Sequence, residues 1–165
     1  MKRWLEDFTP GEELTSHGRT VGEADFLTWA GIDHSYASVH LDDQLMRSTP
    51  YGQRIGAGFM TLDLSVGLFG QGDWSFYWPS GALSTESWED LDFPAAVFIG
   101  DTLRCRRVIA GIEPGDDGTG VVVHDVQVIN QRDEIVLAGR ERIRVRKRDE
   151  GAGSGPTHGT AGGHG

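Results

Sequence analysis

The chain has 165 residues, 38% of them hydrophobic with five Trp and seven Phe, which suits one domain with a substantial core. A lone cysteine, Cys105, excludes a disulfide framework and a paired-cysteine metal site and points to a reduced, cytoplasmic setting. The net charge of −10 argues against generic nucleic-acid binding, the apolar stretches fall short of the roughly 18 residues of a membrane span, and no hydrophobic signal region follows Met1, Lys2 and Arg3.

After a turn-rich lead-in at Pro10 and Gly11, a strand is predicted through Leu14 to Val21. Thr20 and Glu23 have capping-box spacing, and Phe26, Leu27, Trp29, Ala30 and Ile32 follow at helical periodicity, predicting a helix over 23–31. The polar stretch from Asp33 to Asp42 concentrates titratable side chains in a loop, followed by a short helix between Asp42 and Arg47. Residues 59–69 are apolar nearly all round, so a helix there must be buried and wrapped by other elements. Asp63 is the exception inside it, placed either as an acid facing a site or against an arginine or a subunit seam. Trp74, Phe76, Tyr77 and Trp78 form an aromatic run that either lines a ligand cavity or packs in the core.

The remainder reads as strands over 82–93, 97–112, 119–130 and 134–147, rich in Val and Ile and separated by turn chemistry. Residues 140–148 carry six basic groups and one acid. Arg104, Arg106 and Arg107, or Arg140, Arg142, Arg144 and Arg146, either meet an anionic ligand or form the wet face of a strand. From Gly151 the composition is Gly, Ala, Ser, Thr, Pro and His, too polar to repay the entropy of ordering, so 149–165 is expected to be a disordered tail behind a domain spanning 1–148. One buried helix followed by a run of antiparallel strands is an α+β arrangement in which a sheet curls around a helix.

The loop ending His40-Leu41-Asp42, the segment Pro50-Tyr51-Gly52-Gln53-Arg54-Ile55-Gly56-Ala57-Gly58-Phe59-Met60, and Val97-Phe98-Ile99-Gly100-Asp101-Thr102-Leu103 together resemble the MaoC-like branch of the hot-dog superfamily, over roughly residues 5–147. The resemblance implies a sheet wrapped around a long central helix and dimers formed by joining sheets. It also implies hydration of a trans-2-enoyl thioester, or the reverse, on coenzyme A or acyl carrier protein, with no metal or other cofactor. In the family an Asp and a His in the loop after the first helix handle the water and its proton. A glycine N–H at the central helix start polarises the thioester carbonyl, where the helix dipole favours the developing negative charge.

Carried over position by position, His40 falls on the family histidine and Gly58 on the oxyanion glycine. The family aspartate falls on Ser35, and the chain's own acid in that loop is Asp33; the usual His-Gly pair is Ala57-Gly58. An imidazole, with an ordinary pKa of about 6.5, accepts and returns protons near neutral pH. Asp33 either orients His40 or a water, or turns the chain after the first helix; Ser35 holds a water but cannot act as a base. Hydratase/dehydratase is therefore the expected function, with a non-catalytic acyl-thioester-binding subunit, dependent on a hot-dog partner, and a thioesterase as the alternatives.

Overall fold

The computed structural model describes residues 3–71 and 74–148; the expected tail, 149–165, lies outside the described residues. Two short strands, β1 (Glu13–Thr15) and β2 (Arg19–Thr20), precede α1 (Glu23–Asp33), α2 (Ser38–Leu41), α3 (Asp43–Arg47), α4 (Gly58–Gly67) and α5 (Trp74–Tyr77). Four long strands follow: β3 (Ala82–Asp92), β4 (Thr102–Pro114), β5 (Thr119–Ile129) and β6 (Ile135–Arg146). The sheet is antiparallel in the order β1–β4–β5–β6–β3, with β2 also on β4. Met60, Thr61 and Ser65 turn the buried side of α4 to the core that fills the inner face of the sheet. No helix among the described residues is long and apolar enough to cross a membrane.

Several boundaries differ from the sequence expectation for local reasons. The strand expected over Leu14 to Val21 breaks because Ser16 Oγ takes the Cys105 N–H (2.9 Å) in place of a backbone carbonyl. The helix cap is Gly22, whose N–H donates to Asp25 (2.8 Å), while Thr20 hydrogen-bonds Thr102 instead of capping. The strand expected from Val97 starts at Thr102, because Gly100 takes a left-handed φ of 94° and the Asp101 side chain accepts the Phe98 N–H, closing a turn. Nor is α4 wrapped on all sides: Phe59 is 62% exposed and Asp63 faces solvent.

Alternation along β6 sends Arg140, Arg142 and Arg144 to the outer face, paired with Asp125, Glu113 and Glu86. The opposite parity turns Glu141 inward, where it meets Arg107 of β4; both are fully buried. Thr85 Oγ1 donates to Glu141 (3.1 Å), and Tyr77 stacks its ring 4.4 Å from the Arg107 guanidinium. Phe76 and Tyr77 are thus core residues around a buried charge pair. Beside them His124 of β5 is buried with no hydrogen-bond partner for either ring nitrogen among the described residues. Burial first, then the charges of Arg107 and Arg3, push the His124 imidazole down to about 3; the nearby Phe76 backbone works weakly the other way. Burial also pushes the Cys105 thiol up to about 11, which keeps it protonated.

Removing one member of the buried pair strands the other's charge in the core. Glu141→Leu is expected to cost about 3–5 kcal/mol, and Arg107→Met with Glu141→Leu clearly less than the single change. Urea midpoints decide this, and a double variant as unstable as the sum of the singles would sink it. His124 sets an acid sensitivity. The unfolded imidazole binds its proton near pH 6.5 and the folded one only near 3, so the contribution is complete above about pH 6.5 and lost as pH falls. Between pH 6 and 4 the loss runs at most on the order of 1 kcal/mol per pH unit. His124→Leu should flatten the fall in urea midpoint over that range; an unchanged slope would refute the assignment.

Candidate active site

His40 sits in the single turn of α2, directly before α3, whose N-cap Asp42 accepts the Leu45 N–H (2.9 Å). The backbone of Ile55 holds that turn from both sides. Its N–H donates to Val39 O (3.1 Å), and its carbonyl lies 2.7 Å from His40 Nδ1. A carbonyl only accepts, so Nδ1 carries the proton and Nε2 keeps its lone pair. One residue on, the Gly56 N–H donates to Val97 O (2.8 Å), joining this segment to the loop that leads into β4.

That loop is anchored in turn by Asp101, which is buried. Burial opposes its ionisation, but hydrogen bonds from Arg132, Gln131 and the Phe98 N–H outweigh it and hold the carboxyl below the usual range. On the other side, Arg54 forks onto Glu23 at the start of α1 (2.6 and 2.9 Å) and reaches Asp43 in α3 (2.7 Å). The guanidinium hydrogen bonds keep Glu23 below the ordinary carboxylate range. These contacts tie α1, α3 and the segment before α4 to one another.

His40 and Gly58 line one cavity of about 480 Å³, walled by Ile55 and Gly56, Tyr51, Thr61, the stretch Phe93 to Val97, and Val136. Gly58 is the first residue of α4, and Ala57 before it is extended (φ −65°, ψ 140°) and supplies no side-chain cap. The N–H groups of a first helical turn have no acceptor within the helix and carry its positive dipole end, so Gly58 presents a donor at the cavity. The cavity wall is otherwise apolar apart from the hydroxyls of Tyr51 and Thr61, and no carboxylate among the described residues lines it.

The other sequence candidates lie elsewhere. Asp33 is the exposed last residue of α1, and half-buried Ser35 is in the connection behind it; neither borders the cavity. Ala57 contributes its carbonyl to the Thr61 N–H (3.2 Å). Asp63 opens into a separate groove of about 170 Å³ between α1 and α4, with Trp29 and Ile32. A surface cleft of about 520 Å³ on the outer sheet face holds Arg106 and Arg140, already paired with Glu13 and Asp125. Thr61 was within reach of sequence reasoning, one helical turn after Gly58, whereas Phe93 and Val136 reach the cavity from distant parts of the chain without a local signal.

An antiparallel sheet in the order β1–β4–β5–β6–β3 with α4 packed on its inner face is a hot-dog fold. A double hot-dog protein from Mycobacterium tuberculosis superposes with a TM-score of 0.72 over 90% of this chain and 46% of its own, at 18% identity. Residues 7–132 match the family model described as MaoC like domain, and the chain belongs to that family. It is 32% identical over 157 residues to the beta-methylmalyl-CoA dehydratase of Chloroflexus aurantiacus, covering 90% of this chain and 42% of that protein. The chain spans less than half the length of the curated relatives it matches. A monoamine oxidase regulatory protein from Archaeoglobus fulgidus has a TM-score of 0.82 at 27% identity, over 90% of this chain and 97% of the other.

Proposed function

We propose that the chain adds water to enoyl thioesters of coenzyme A or acyl carrier protein, and removes it from the 3-hydroxyacyl forms, in a reduced cytoplasm. The observation that carries this is the shared cavity of His40, with Nε2 free of the Ile55 hydrogen bond, and the Gly58 N–H. The 32% identical dehydratase supports the substrate class.

In the hydration direction, Nε2 takes a proton from water as its oxygen bonds to C3, and the C2–C3 π electrons move to give an enolate. The Gly58 N–H and the helix dipole stabilise the enolate oxygen. The imidazolium then returns its proton to C2, leaving the 3-hydroxyacyl thioester and a neutral histidine. Dehydration is the reverse, with the C2 proton passing through Nε2 to the departing hydroxyl. Thr61 and Tyr51 are the side-chain hydroxyls available to hold the water. A second reading, an acyl-thioester-binding subunit that works beside a hot-dog partner or a second copy, is favoured by the cavity's lack of a carboxylate among the described residues.

Loss of the conjugated thioester absorbance separates the two. Wild-type protein should consume crotonyl-CoA or crotonyl-carrier protein, the better substrate identifying the carrier, and His40→Ala should fall by about 10²–10⁴-fold. Binding without turnover supports the subunit reading instead. The Gly58 donor has its own test, because proline at a first helical position keeps the helix while deleting the N–H, and Ala57 already has the backbone a following proline requires. A side chain at Gly58 would meet the Phe93 ring at 3.1 Å, so Gly58→Pro is compared with Gly58→Ala, each with Phe93→Ala. At equal Tm, the proline pair should lose about 10²–10³-fold in kcat relative to the alanine pair. Equal rates would remove Gly58 from the mechanism.

A further inference from the structure

Phe93 directly follows β3 and is fixed on both sides along the chain. Its N–H donates to the Asp92 side chain (2.9 Å), and Pro94 behind it restricts its backbone to extended conformations. The ring lies on the open face of Gly58: Cε1, Cε2 and Cζ are each 3.1 Å from where a Cβ on that glycine would stand. Its edge meets the Phe59 ring at a centroid distance of 6.2 Å, and 37% of the residue remains exposed. Phe93 therefore stands beside the amide that the thioester carbonyl must reach, in the wall shared with His40. Its neighbours in that wall are small: Gly56, Ala95 and Ala96.

We infer that Phe93 is a specificity-determining residue, whose ring on Gly58 limits the bulk the site admits on the carbons next to the thioester carbonyl. The inference rests on the proposed binding of that carbonyl at Gly58. A carbonyl oxygen held by the Gly58 N–H brings C2 and its substituents within van der Waals reach of whatever covers the glycine. A substituent there competes with the ring for space. The Phe93 backbone is pinned, the Gly58 helix turn lies beneath the ring, and Phe59 packs at its side. Shortening the side chain opens room without touching His40 or the Gly58 N–H.

The test compares wild type, Phe93→Leu and Phe93→Ala on crotonyl-CoA and 2-methylcrotonyl-CoA. The kcat/KM ratio of branched to straight substrate should rise in the order Phe, Leu, Ala, reaching at least about tenfold in Phe93→Ala, the range that one methyl group commands in a tight pocket. A gain on the branched substrate cannot arise from misfolding, which lowers both rates together. The binding arm uses butanoyl-CoA and 2-methylpropanoyl-CoA, followed by calorimetry, and does not depend on turnover. If no variant hydrates either enoyl thioester, the hydratase reading fails, while a rise of the same order in relative affinity for the branched ligand still upholds the role of Phe93. An unchanged branched-to-straight ratio in turnover and in binding overturns the inference, as does failure of every variant to bind any of these thioesters.

Discussion

The site depends on the backbone of one residue, Ile55. The Ile55 carbonyl decides which nitrogen of His40 is basic, and the Ile55 N–H holds the turn that carries His40. The next N–H, from Gly56, ties the same segment to Val97, and two residues later Gly58 begins α4. The proposed base, His40, and the proposed donor, the Gly58 N–H, are thus fixed relative to one another through the segment 55–58. Each hydrogen bond is worth only about 1 kcal/mol net, but three of them converge on two consecutive residues, Ile55 and Gly56. Displacing this segment would therefore move both functional groups together.

The two ends of α4 are built on opposite principles. At its N-terminus His40 and Gly58 line a cavity whose other walls are mostly apolar. Near its C-terminal side, where Phe69 follows the helix, Arg107 and Glu141 neutralise each other inside an aromatic surround of Phe69, Tyr77 and Trp88. Burial of such a pair contributes little net stability, because desolvation offsets the Coulombic gain. Its consequence is asymmetry: neither charge tolerates loss of the other, and His124 must stay neutral in their presence. Stability and chemistry are consequently carried by separate clusters, and changes at Phe93 or His40 need not pass through the core.

The sheet was legible because its strands alternate: the outward arginines of β6 and their Val and Ile partners fix register and face together. The same parity rule turns Glu141 inward, a feature visible in the sequence once the face of Arg140 is assigned. Local signals failed where side chains replaced backbone partners, as with Ser16 on Cys105 and Asp101 on Phe98. The apolar run of α4 overstated its burial, since composition cannot say which side of a helix a neighbour covers. His40 and Gly58 follow as candidates from the order of motifs, but the wall that Phe93 and Val136 complete is a product of the tertiary fold.

Ser35 at the family aspartate position bears on chemistry through geometry. A carboxylate beside a catalytic imidazole does two things: it directs the ring and it supplies negative charge. Here direction comes from the Ile55 carbonyl, which needs no acid in the loop, and Asp33, exposed at the end of α1, does not line the cavity. In the proposed reaction the nitrogen that accepts the proton also returns it, which puts addition of water and protonation of C2 on one face of the substrate. A syn course is therefore the stereochemical consequence of a site with one base. Hydration of crotonyl-CoA in deuterated water, followed by NMR assignment of the C2 deuterium relative to the C3 hydroxyl, reads that course directly, and anti addition would require a second proton-transfer group and overturn the single-base scheme.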